Sequence, residues 1–301
     1  MARLIRILFL ACACLLGQVY SLNRNISFPK DVTVSPFTYR IIGGREAVPH
    51  SYPFMAALMI TTKDSNFFCG GSLITSQIVL TAAHCLDGNP VKIQVALGRH
   101  DLAKRESSGQ LYETKSYAIH RHWSRQTLQH DIAMIKLPRS ATLNQYVKTI
   151  SLASSLTKLY SGHTIALGWG QTSGGGNSAT TKLRVVDVTL MSLQTCQYIY
   201  GDNVITRSHI CTKGPDLSIK GTCNGDSGGP LVLNGVQIGI VSFGSADCME
   251  LSPSVYTNVA VYETWIKLML NHSDAFSGAP NQNNKLSVYI LSGVLIMYTI
   301  I

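Results

Sequence analysis

Between Ile41 and His272 the apolar residues come in short, β-branched runs with turn residues between them, and this pattern restricts the fold more than any other feature of the chain. Runs of that kind suit strands, because a helix shows a longer stretch with three- and four-residue spacing. The clearest case is "PLVLNGVQIGIVSF" (230–243), in which Asn234-Gly235 separates two apolar runs. The tightest hairpin turns need positive φ at both central residues, which Asn and Gly tolerate, so an antiparallel hairpin is expected here. "VKIQVALG" (91–98) alternates in part. Only near the end does a helical pattern appear, where Tyr262, Trp265, Ile266, Met269 and Leu270 fall at three- and four-residue spacings. The stretch is long enough for a full hydrophobic core, as one domain or two fused barrels. The expected class is all-β and antiparallel with one closing helix. "SGGGNS" (173–178) lacks the GK[ST] of a phosphate cradle and reads as a loop.

The two ends of the chain have a different character. Arg3 and Arg6 precede the apolar run Ile7 to Leu16, which is too short to span a bilayer, and Val19 and Ser21 are small. Residues 1–21 therefore read as a secretory signal cut after Ser21. Of eight cysteines, Cys12 and Cys14 leave with it; Cys69, Cys85, Cys196, Cys211, Cys223 and Cys248 remain. An even number in an oxidising compartment implies disulfides, and no CxxC pair suggests a metal site instead.

Charge excludes one class of partner. Of the net +9, Arg3 and Arg6 leave with the signal, and residues 22–40 hold two more (Arg24, Lys30 and Arg40 against Asp31). Asp274 cancels Lys285, so +5 remains on residues 41–273. No Lys/Arg cluster is interleaved with aromatics, so nucleic acid is not an expected partner.

Three short motifs carry chemistry. "TAAHC" places His84 beside Cys85, "HDIAMIKL" puts Asp131 at the mouth of an apolar strand, and "GDSGGP" sets Ser227 among glycines. A carboxylate at a strand mouth must find donors or suffer a large desolvation cost. Glycines let a backbone turn sharply and aim its N–H groups at a substrate oxygen. Serine is a poor nucleophile until a base takes its proton and a carboxylate orients that base. Together the three residue types are the parts of acyl transfer.

With "IIGGREA" (41–47), "FCGGSLI" (68–74) and "GWG" (168–170) added, the chain resembles the chymotrypsin/trypsin-type serine proteases, among them insect chymotrypsin-like and collagenase-like members. The resemblance runs from Ile41 to about His272. It implies two six-stranded antiparallel β-barrels, a C-terminal helix and an active site in the cleft between the barrels. It also implies a secreted serine endopeptidase acting on protein or peptide substrates without a cofactor or metal. His84 would be general base then acid, Asp131 its orienting carboxylate and Ser227 the nucleophile, with the N–H groups of Gly225 and Ser227 as the oxyanion hole. The pairing Cys69–Cys85, Cys196–Cys211 and Cys223–Cys248 is carried over from the same resemblance.

Residues 22–40 then correspond to an activation propeptide ending at Arg40, cut by a trypsin-like protease. The new ammonium of Ile41 would fold inward to pair with Asp226, and a buried ion pair of that kind would pull Gly225–Ser227 into working shape. Gly221 stands at the implied pocket floor, Gly244 at the entrance and uncharged Ser254 on the wall, which suits large apolar side chains. Asp247 and Glu250 near the rim leave a mixed or collagenase-like preference open, and Phe243 replaces the usual Trp. Arg99 stands where calcium-binding relatives carry Glu, which argues against that metal site. Protein inhibitors are further expected partners. The competing reading is a catalytically silent, protease-shaped binding or adhesion protein, a class that usually loses the triad.

The protease domain would span 41–272, leaving 273–301 as a polar spacer and hydrophobic tail. The last sixteen residues, Leu286 to Ile301, carry no charge, and the implied domain has no slot for them. A spanning helix usually needs about 20 apolar residues, so the tail reads as a removable glycolipid-anchor (GPI) signal. Ser277 offers the smaller trio at the anchor site, Ser273 the better spacer. Such a lipid would be the chain's only attachment to a membrane. Asn25 and Asn271 lie in glycosylation sequons.

Overall fold

The computed structural model describes residues 44–155, 163–170, 180–215, 221–222, 225–244, 252–272 and 275–276. The first sheet contains β2 (Met55–Thr61), β3 (Asn66–Leu73), β4 (Ile78–Thr81), β5 (Lys92–Leu97), β6 (Gln110–Thr114), β7 (Tyr117–Ile119) and β8 (Ala133–Lys136). Its strand order is β6-β5-β2-β3-β4-β8-β7. The two end strands are consecutive pieces of one bent segment, separated only by Lys115 and Ser116. One piece pairs with β5 and the other with β8, so the sheet curls into a barrel of six strands when the bent segment counts once. Lys136 N donates to Ser116 O across the bend at 2.9 Å.

The second sheet contains β10 (Thr164–Gly168), β11 (Arg184–Met191), β12 (His209–Lys213), β13 (Pro230–Leu233), β14 (Val236–Phe243) and β15 (Ser254–Asn258). Their order is β11-β10-β13-β14-β15-β12, and the β11–β12 ladder closes the ring. The short strands β1 (Arg45–Glu46) and β9 (Ser151–Leu152) add to it, on β11 and β14 respectively. The expected hairpin forms between β13 and β14. Leu233 pairs with Val236 across Asn234 (φ 49°) and Gly235 (φ 82°), both left-handed as a tight turn requires.

Strand period explains why β2 is apolar at almost every position. Ala56, Leu58 and Ile60 point into the first barrel with Ile93, Val95 and Leu97 of β5. Met55, Ala57 and Met59 point the other way, into a cluster shared with Ile165, Leu167, Trp169, Val185 and Val232 of the second barrel. Both faces are buried, so polar alternation disappears. Trp169 is fully buried in that seam, with its indole N–H on His100 O at 3.1 Å.

The closing helix α2 (Glu263–Asn271) follows a 3₁₀ turn, Val259–Tyr262. Tyr262, Ile266 and Met269 lie in the first barrel's core and Trp265 packs against it, whereas Leu270 is 40% exposed. The helical spacing placed Leu270 with the apolar set; it lies on the rim, because the barrel wall covers only the narrower stripe. A second helix, α1 (Leu193–Tyr200), also departs from the one-helix expectation. Its apolar face is thin: Cys196 is its only buried residue, with Leu193 and Tyr200 half-buried against the same cluster. The Ser192 hydroxyl accepts from Thr195 N at 3.1 Å, Gly201 (φ 92°) ends the helix, and a disulfide anchors it.

Two disulfides are described, Cys69–Cys85 and Cys196–Cys211. Cys223, Cys248, the signal, the propeptide with Arg40, Ile41, the 173–178 loop, and Ser273, Ser277 and the tail lie outside the described residues. Asn271 is exposed at the end of α2. Among the described residues no helix is long and apolar enough to cross a membrane.

Candidate active site

His84 sits in a 3₁₀ turn, Ala83–Cys85, that follows β4. The adjacent Cys85 is bonded to Cys69 of β3, which ties the turn to the barrel wall. Asp131 stands just before β8, at 1% exposure. Its Oδ2 accepts from His84 Nδ1 at 2.8 Å and from the Ser242 hydroxyl at 2.5 Å, while Oδ1 accepts from His84 N at 2.9 Å. Thr257 Oγ1 donates to Asp131 O at 2.7 Å. A single carboxylate thus holds the imidazole by ring and by backbone.

The electrostatics follow from this geometry. Burial alone would raise the Asp131 carboxyl, but the His84 charge and the hydrogen bonds from His84 and Ser242 outweigh it and hold the group below its usual range. Burial alone would lower His84; the Asp131 charge and hydrogen bond reverse this, so the imidazole is raised. The pair therefore favours an ionised carboxylate beside a basic imidazole.

Ser227 lies in the loop from Gly225 to Gly229 that leads into β13. The loop is pinned to the first barrel, because Gly70 N of β3 donates to Ser227 O at 2.7 Å. At Gly228 (φ 78°) an added Cβ would stand 2.2 Å from Thr81 Oγ1, 2.5 Å from Gly70 O and 3.2 Å from Ala82 N. Only glycine permits that approach, and it brings the serine loop onto the residues just before His84. Among the described residues neither Gly225 N nor Ser227 N has a protein acceptor, and Ser227 Oγ makes no hydrogen bond to His84. The pieces are neighbours, with the serine–imidazole contact open.

Asp226 is fully buried, and its Oδ1 accepts from Gly170 N at 2.8 Å. Added Cβ atoms at Gly168 and Gly170 would fall 2.2 Å and 2.3 Å from the Asp226 carboxyl, which is the packing reason for the two glycines around Trp169. Gly221 and Ser254 face each other: a Cβ on Gly221 would meet Ser254 Oγ at 2.6 Å, and that hydroxyl accepts from Thr222 N at 3.1 Å. Gly244 lies opposite Ser254 with room for a methyl group. Behind them the buried Tyr256 hydroxyl meets Thr212 Oγ1 at 3.2 Å, and burial pushes its phenol up to about 12.

The sequence reading missed Ser242, Thr257 and Gly70. Ser242 sits beside Phe243 in an apolar strand, where a lone hydroxyl among apolar residues was the available signal. The one His/Cys/acid cluster at ligand spacing among the described residues is Cys69, His84 and Cys85, and its sulfurs are engaged in the disulfide.

Comparison with known proteins agrees with this geometry. The Trypsin family pattern matches residues 41–266. Brachyurin of Leptuca pugilator is 40% identical over 229 residues, covering 75% of this chain and 97% of that protein. Chymotrypsin of Phaedon cochleariae is 36% identical over 258 residues, covering 81% and 90%. The structure of neuropsin, a serine protease expressed in the limbic system of mouse brain, superposes with a TM-score of 0.67 at 35% identity, over 76% of this chain and 100% of that one. Nothing in these likenesses supports a silent binding protein. The two-barrel fold, the His84–Asp131 pair and these relatives make the chain a member of the trypsin family of serine proteases, an endopeptidase that acts on protein or peptide substrates.

Proposed function

We propose that the chain is a secreted zymogen whose activated form cleaves peptide bonds through an acyl-enzyme on Ser227. The observation that carries this reading is the His84–Asp131 pair, closed at 2.8 Å and reinforced by Ser242. His84 takes the Ser227 proton and returns it to the leaving amine, Asp131 steadies the imidazolium, and the free N–H groups of Gly225 and Ser227 receive the oxyanion. The Ser227→Ala enzyme is expected to lose fluorophosphonate labelling and nearly all peptidase activity. Undiminished labelling would remove Ser227 from the mechanism.

Preference for large apolar or aromatic residues before the cut follows from Gly221, Gly244 and Ser254, none of which offers a charge to Arg or Lys. An unpaired charge in such a slot costs several kcal/mol, roughly 10³-fold in rate. A peptide-library profile favouring Arg or Lys would overturn this and direct attention to Asp247 and Glu250.

Disulfides persist in oxidising compartments, so the two seen here support an extracellular location. The uncharged tail from Leu286 adds the proposal of a glycolipid anchor at Ser277 or Ser273. Phosphatidylinositol-specific phospholipase C is then expected to release active enzyme lacking the tail from intact cells. Enzyme that stays membrane-bound with its tail, or is soluble with it, would refute the anchor.

A further inference from the structure

Three imidazoles gather beside the Asp131 turn, and the reaction geometry uses none of them. His120 stacks on His130 with ring centroids 4.8 Å apart and planes 11° from parallel. His122 lies 5.5 Å from the first and 5.6 Å from the second. Tyr262 OH is hydrogen-bonded to His130 Nδ1 at 3.1 Å, and the Tyr262 and Trp265 rings each stand 5.4 Å from His120. The stack is therefore wedged between the segment that delivers Asp131 and the C-terminal 3₁₀ turn and helix.

That segment needs holding. Leu128 (φ 55°) and His130 (φ 58°) both adopt the left-handed region, which is unfavourable for bulky side chains. Tethers from the second barrel steady the neighbours: His209 Nε2 meets Leu128 O at 3.4 Å, Gln129 Nε2 donates to Val204 O at 2.6 Å, and Thr257 donates to Asp131 O. For the His130 side chain, the hold is the stack and Tyr262.

We propose that the His120–His130 stack, closed by Tyr262, positions the Asp131 turn, and that protonating the stack withdraws this support and gives the enzyme an acid-sensitive brake separate from His84. The proposal rests on the reading of Asp131 as the orienting carboxylate.

The charge environment makes the stack responsive to acid. The titratable and charged groups around it are Arg121 and His122 from its own segment, His209 from β12, Tyr262, and Asp131, whose two oxygens are already taken by His84 and Ser242. Among the described residues no carboxylate pairs with any of the three imidazoles. Burial, then repulsion from His130, His122 and Arg121, pushes His120 down to about 4; burial and His122 also lower His130. Both are therefore uncharged in the native fold at neutral pH, whereas an unfolded histidine takes a proton at pH ~6.5. Stability contributed by neutral His120 is thus present above pH ~6.5 and declines as pH falls towards about 4.

The test compares activated wild type with His120→Phe, which keeps a ring against His130, Tyr262 and Trp265 but cannot acquire a charge. At pH 8 the two should agree in kcat/KM within about twofold. As pH falls towards and below about 4 the wild type should lose kcat/KM with a logarithmic slope above one, while the variant follows a slope of about one from His84 alone. Thermal unfolding temperature should also fall more steeply with acid in the wild type. If His120→Phe folds poorly, His122→Asn, which removes the exposed neighbouring imidazole, should give an intermediate acid limb. Superimposable acid limbs would overturn the proposal, including the case in which only the unfolding curves differ, because the stack would then support the fold without positioning Asp131. Persistent labelling of Ser227→Ala would instead refute the active-site reading, while the unfolding comparison would still report on the stack.

Discussion

Asp131 has almost no solvent contact, yet its carboxylate is stabilised because three donors reach it, the ring and backbone of His84 and the Ser242 hydroxyl, while Thr257 holds the main-chain carbonyl. Removing one donor from a buried anion costs about 1.5–3 kcal/mol, so Ser242→Ala should lower stability by that order and kcat/KM by roughly tenfold. The sign with pH follows from the depressed carboxyl. Its contribution is present at neutral pH and lost as pH falls through the folded value. Without Ser242 one cause of the depression is gone, so urea unfolding measured against pH should show a smaller acid-dependent loss, complete at a higher pH, than in wild type. An acid loss of unchanged size and end point would mean that Ser242 does not stabilise the ionised form.

At the scale of elements, two glycines with similar φ should behave differently. Gly228 (φ 78°) is pressed against β3 and β4, whereas at Gly235 (φ 82°), in the β13–β14 turn, an added Cβ meets nothing within 4 Å. Gly235→Ala should cost only the left-handed conformation, about 1–2 kcal/mol, and leave activity intact. Gly228→Ala adds a clash with Thr81 Oγ1 and Gly70 O; strain of about 1–3 kcal/mol joins an overpacking cost of similar size. Unfolding temperature and probe labelling of the two variants give the comparison. Equal effects would show that the loop–barrel contact does not hold the serine.

At the scale of the molecule the described residues form two barrels sharing an apolar seam, with the His84–Asp131 pair on one and the Ser227 loop on the other. Buried Trp169 and its flanking glycines bring the seam up to Asp226, so the state of that carboxylate can be conveyed to Gly225 and Ser227 beside it. Activation by a new Ile41 ammonium, as proposed from the resemblance, would act at this point. Arg40→Gln should accordingly stay near zymogen activity after trypsin treatment, measured on a chromogenic peptide. Full activation of that variant would exclude the Arg40 cut as the trigger.

Strands, hairpin and candidate reactive residue types were legible in the sequence because each is written locally: short β-branched runs bounded by turn residues, Asn234-Gly235 at the turn, and glycines around Ser227. The closing helix was legible too, although its apolar spacing included Leu270, which the barrel leaves exposed. Helix α1 was not, since its apolar face is only Leu193, Cys196 and Tyr200, and a cap and a disulfide complete its hold. Tertiary structure alone decided that Ser242 and Thr257 serve Asp131, at separations of 111 and 126 residues, and that Gly70 receives the serine loop. It also decided that His120 and His130 stack against the C-terminal turn. Periodicity records which face of an element is buried; which residue meets it there depends on how the two barrels close and dock, and no local window of sequence contains that.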